Sequence, residues 1–138
     1  MAQEQNTGTG YLRVAVKTAN SALPVPGATV SIYGSDRENG NTGILYTLVT
    51  GEDGRTETVE LPAPARTLSL SPGSPAPYAR YNIEIRRDGY AGVSDIGVPV
   101  FDGIVSTQPV ALIPLGEFEK PGEFQRIYET PAGESALL

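Results

Sequence analysis

Apolar and polar residues alternate with a period of two along much of the chain. Leu12, Val14 and Val16 alternate with Arg13, Ala15 and Lys17, which gives an extended segment one apolar face. Val30 and Ile32 alternate with Thr29, Ser31 and Tyr33, and Ile83 and Ile85 with Asn82, Glu84 and Arg86. Val98 and Val100 flank Pro99, Val110 and Leu112 flank Ala111, and Ile44–Val49 and Thr56–Leu61 add two shorter runs. β-branched residues dominate these runs and fit a pleated, half-buried surface. The pattern predicts seven short strands within 11–115 and no interior helix. The best helical spacing is Pro121–Glu129, short, with Phe124, Ile127 and Tyr128 on one side.

Turn chemistry separates the runs. Pro24-Val25-Pro26-Gly27 precedes one, and Glu52-Asp53-Gly54-Arg55 lies between two others. Asp-Gly is a strong hairpin signal, and it recurs at Asp88-Gly89 and Asp102-Gly103. Short strands divided at such intervals predict an all-β sandwich. Residues 1–10 carry no apolar periodicity and read as a flexible arm. Residues 11–115 form the sandwich domain. Residues 116–138 form an acidic tail with five Glu, one Lys and one Arg.

Composition narrows the chemistry. The 138 residues contain no Cys, His or Trp, which excludes disulfides, thiolate nucleophiles, imidazole catalysis and His or Cys metal sites. A formal charge of −6 disfavours nucleic acid and anionic membranes as partners. No run approaches the roughly 18 apolar residues of a membrane span. The first residues, Met-Ala-Gln-Glu-Gln-Asn, show no signal peptide, which leaves export open. Met1 and the unpatterned end read as a complete small protein.

Three segments in order carry a family resemblance. They are Gly10–Val14 running to Pro26-Gly27-Ala28-Thr29-Val30, then Thr50-Gly51-Glu52-Asp53-Gly54-Arg55, then Tyr81–Ile85 with Gly89-Tyr90. The chain resembles the carboxypeptidase regulatory-like domains over residues 10–113, and so a transthyretin-like (prealbumin-like) sandwich. The resemblance implies a seven-stranded Greek-key fold with no catalysis of its own, attached to enzymes, receptors and envelope proteins. The stretch Val98–Gln108 is similar to bacterial versions from spore-formers, near peptidoglycan-binding modules. Pro26–Tyr33 also resembles the start of collagen-adhesin B-type domains, some of which form Lys–Asn isopeptide bonds. Lys17 sits on the outward parity and the strand near Val110–Leu112 has no Asn, which argues against such a bond.

The remaining candidates each have a simpler reading. Asp53, Asp88, Asp95 and Asp102 fall in predicted loops, where Asp serves turn geometry. Asp36–Asn41 is oxygen-rich but lacks EF-hand spacing. No Gly-x-Ser-x-Gly occurs, and no spacing argues for a glycosidase carboxylate pair. Tyr78 and Tyr81 flank the Pro-rich stretch and are the candidates for stacking a sugar ring. In the tail, Phe118, Phe124, Ile127, Tyr128, Leu137 and Leu138 are candidate assembly contacts, because a purely solvating tail needs no such anchors. The expectation is a non-enzymatic structural or protein-interaction module of a bacterial cell envelope or spore. It needs no cofactor or metal and assembles with itself or other proteins through its arms. The alternative is a glycan- or peptidoglycan-binding module.

Overall fold

The computed structural model describes residues 8–18, 22–34, 43–66, 77–115 and 124–129. Two sheets pack face to face. The strands are β1 (Gly8–Thr18), β2 (Leu23–Pro24), β3 (Thr29–Gly34), β4 (Ile44–Val49), β5 (Val59–Ala63), β6 (Tyr78–Arg86), β7 (Gly92–Phe101), β8 (Val105–Ala111) and β9 (Phe124–Tyr128). In the first sheet β1 is central. Its far edge pairs in parallel with β8, and its near edge is covered in turn by β5 and β2. The second sheet has the order β4-β3-β6-β7-β9, antiparallel except for the β7–β9 pair.

The alternating apolar positions face one another between the sheets. Leu12, Val14 and Val16 of β1 and Leu61 of β5 meet Val30, Ile32, Ile83, Ile85, Val93, Val98 and Val100 of the second sheet, all buried. Each of the seven predicted runs overlaps a strand, and among the described residues β2 and β9 are additional. The segment 121–129, which carries the best helical spacing, instead contributes β9. Parallel pairing to β7 places Ile127 against the core, and Glu129 N donates to Ile96 O at 2.8 Å. Pairing to a neighbouring strand edge outweighs the spacing of Phe124, Ile127 and Tyr128. Part of the acidic tail therefore belongs to the sandwich, and β1 begins at Gly8, inside the predicted arm.

Of the three Asp-Gly turns, only Asp88-Gly89 closes a hairpin, between β6 and β7. The turns at Asp53-Gly54 and Asp102-Gly103 carry the chain from one sheet to the other, which corrects the hairpin expectation there. All three glycines have positive φ. Gly54 is also needed for a close approach, since a Cβ there would lie 2.5 Å from the Val16 carbonyl oxygen.

Two buried threonines tie the crossings together. Thr50 Oγ1 accepts from Ala28 N at 2.9 Å and donates to Val25 O at 2.7 Å. Thr56 Oγ1 accepts from Val14 N at 3.0 Å. The Pro-Gly-Ala and Thr-x-x-Asp-Gly-Arg segments are thus two halves of one knot, which gives a physical reason for their occurring together.

Candidate functional site

The sandwich is closed differently along its two sides. On the side of β4 and β5, tyrosine hydroxyls from the second sheet reach the outer carbonyls of β5. Tyr46 OH donates to Glu60 O at 2.8 Å, and Tyr81 OH donates to Pro62 O. Tyr81 is only 6% exposed, and burial, with Tyr46 beside it, pushes its phenol up to about 12. This corrects the expectation of a sugar-stacking row: the Tyr81 ring is core and its hydroxyl joins the sheets. Tyr78 is half-buried, tilted against Phe101 at 5.6 Å, and Arg80 stacks over its ring and donates to its hydroxyl.

On the side of β8 and β9, the closure is polar and acidic. Asp95 lies within β7 and not in a loop, and is 1% exposed. A bulge explains the difference. Two steps on β6, Tyr81 to Ile83, oppose three on β7, Asp95 to Val98. Gly97 takes φ 80° there, and its N–H donates to Asn82 Oδ1 at 3.0 Å. The extra residue lets Asp95 and Val98 both face inward. Gln108 of β8 points in from the opposite sheet. Its Nε2 donates to Asp95 Oδ2 at 3.1 Å, Glu129 Oε2 at 3.2 Å and Pro109 O at 3.2 Å. Asp95 Oδ1 has no hydrogen-bond partner.

Burial first, then the neighbouring Glu129 carboxylate, pushes the Asp95 carboxyl up to about 8, with Gln108 opposing. A proton on Asp95 relieves the conflict, because it supplies the hydrogen that two facing carboxylates lack. The sequence reading missed this cluster. Its members are separated by 13 and 21 residues and meet only through the bulge and β9. The available signal was an Asp and a Gln on the inward parity of apolar strands.

The other acids do different work. Asp102 accepts from Arg66 N at 2.9 Å and Thr9 N at 3.1 Å, and these bonds hold its carboxyl below the usual range. Beside it, Arg66, Pro77, Phe101, Asp102 and Ile104 line an open recess of about 310 Å³. Asp53 accepts from Arg55 N within its own turn. Among the described residues no group of three or more acidic, His or Cys side chains is placed to hold a metal ion. Lys17 lies opposite Pro24 and Ala111 on β1, with the outward parity expected of it.

The assembly candidates divide. Ile127 is partly buried against the core, Tyr128 is 69% exposed, and the Phe124 backbone lies in β9. Phe118, Leu137 and Leu138, like Asp36–Asn41, lie outside the described residues. A surface not foreseen is the outer edge of β4, to which no described strand pairs. Ile44, Leu45 and Val49 there are 54%, 48% and 61% exposed.

No family model and no curated protein matches this chain. Solved structures do resemble it. One is the Bacillus anthracis TIE protein, with 13% identity over 78% of this chain and 17% of that one, at a TM-score of 0.50. A second is the minor pilin GBS52 of Streptococcus agalactiae, with 14% identity over 90% and 47%, at 0.50. A third is catechol 1,2-dioxygenase from Acinetobacter sp. ADP1, with 13% identity over 94% and 60%, at 0.53. The chain spans less than two thirds of each of these proteins. At such identities the likeness is one of fold alone.

Proposed function

We propose that this chain is a structural, protein-interaction sandwich of a bacterial cell envelope or spore, with no chemistry of its own, which assembles with further copies. The observation that carries this reading is the β4 edge. Natural sheets protect exposed edges with prolines, charges, bulges or very short strands. Here β5 has Pro62 and two tyrosine hydroxyls on its outer carbonyls, β8 has Pro109, and β2 is two residues long. By contrast, Ile44–Val49 contains no charge, proline or glycine, and its one irregularity is a bulge at Leu45 near its start. An uncharged edge that no described strand covers, regular from Tyr46 to Val49, suits strand addition from another chain. The minor pilin among the structural neighbours is a protein of the same fold from a Gram-positive bacterium, which supports the envelope setting.

The test is size-exclusion chromatography with light scattering on the full chain and on Thr47→Lys. Thr47 is exposed on the outer face of β4, so a lysine there charges the edge while leaving the core intact. The expected result is a concentration-dependent mass above that of the monomer, lost in the variant with an unchanged melting temperature. A wild-type chain that is monomeric at every concentration overturns the reading.

A further inference from the structure

We infer that Asp95, Gln108 and Glu129 form a proton-controlled latch that holds the last strand, β9, in the sandwich and loosens it as pH rises. The inference concerns docking within one chain and stands whether or not copies assemble.

Each element of the latch comes from a different strand. Asp95 belongs to β7, Gln108 to β8 in the opposite sheet, and Glu129 directly follows β9. Gln108 Nε2 has two N–H bonds for three acceptors, so it cannot neutralise two carboxylates. Every other neighbour across the strands is apolar: Asp95 is paired with Ile83 on β6 and Ile127 on β9. Among the described residues Glu129 is the charged group that faces Asp95, and no cation pairs with either carboxyl. One proton on Asp95 gives the two facing carboxyls, Asp95 buried and Glu129 half-buried, a hydrogen to share. Without it, an ionised and fully buried Asp95, with an unpartnered Oδ1, faces Glu129.

The strain falls on β9, because it is the edge strand. Among the described residues it pairs with β7 alone, over Gly92–Ile96, and Glu129 is held by a backbone bond to Ile96 O. Undocking β9 hydrates both carboxyls without opening the central strands. The sign follows from linkage. A carboxyl raised from its ordinary value to about 8 stabilises docking fully below the ordinary value, and that stabilisation is lost as pH rises through about 8.

The experiment is hydrogen exchange of the Gln125–Glu129 amides in the full chain, corrected for intrinsic rates, in the wild type and in Asp95→Asn. Asparagine keeps the shape and removes the titration. Between about pH 6 and about pH 8 wild-type protection of these amides should fall by about tenfold to a hundredfold. Amides of β1 and β3 should hold, and Asp95→Asn should show no such fall. An equal fall in both proteins overturns the latch. Should the variant not fold, the carbon-13 shift of the wild-type Asp95 carboxyl decides alone. Titration above about pH 6 supports the latch, and titration in the ordinary carboxylate range overturns it.

Discussion

At the scale of single residues, the buried hydroxyls are the most exacting positions. Thr50 Oγ1 is donor and acceptor at once, to two backbone groups that have lost water. A valine of the same shape leaves Ala28 N and Val25 O unpartnered. Each orphaned group costs about 1–3 kcal/mol, so Thr50→Val should lose ~2–4 kcal/mol in urea unfolding. Thr56→Val orphans Val14 N, while its other bond, to Glu57 O, is local and half-buried. It should therefore cost less than Thr50→Val, and the reverse order of urea midpoints would refute this account of the knot.

At the scale of elements, the turns and bulges set which residues reach the core. Gly89 sits in open space with φ 88°, so Gly89→Ala meets only backbone strain, about 1–2 kcal/mol. Gly54→Ala adds a collision with the Val16 carbonyl to similar strain and should be the more damaging, as paired thermal melts would show. The same irregularities decide what the sequence reveals. β1, β3 and β6 alternate cleanly, so their inner faces are legible directly. β7 is not, because the bulge at Gly97 shifts the parity between Val93-Asp95 and Val98-Val100. Only the second half reads as a strand, and Asp95 then falls in an apparent loop. β8 turns Ser106, Gln108 and Val110 away from the exposed Val105, Thr107 and Pro109, so two of its three inward residues are polar and only Val110 stands out. In β9 the spacing of Phe124, Ile127 and Tyr128 suits a helix, and in the strand that pairing with β7 imposes only Ile127 turns to the core. The acidic cluster stayed hidden because it needs all three of these elements in place.

At the scale of the whole molecule, two aspartates pull stability in opposite directions with pH. Asp102, held low by the N–H groups of Arg66 and Thr9, contributes above the ordinary carboxylate range and is lost as pH falls below it. Asp95 contributes fully below its ordinary value of 3.8 and is lost as pH rises toward about 8. Together they place the optimum on the acid side of neutrality. The alkaline slope from Asp95 can reach ~1.4 kcal/mol per pH unit while global unfolding is the only way to hydrate it. Undocking of β9 offers a cheaper route. Once the penalty for a buried Asp95 anion equals the cost of releasing one edge strand, the strand leaves and the global curve flattens. Urea midpoints from about pH 3 to about pH 9 should therefore fall on the alkaline side and then level, before the full shift of Asp95 is spent. Asp95→Asn should remove that fall and Asp102→Asn should reduce the loss on the acid side. An alkaline limb that persists in Asp95→Asn would assign the titration to another group.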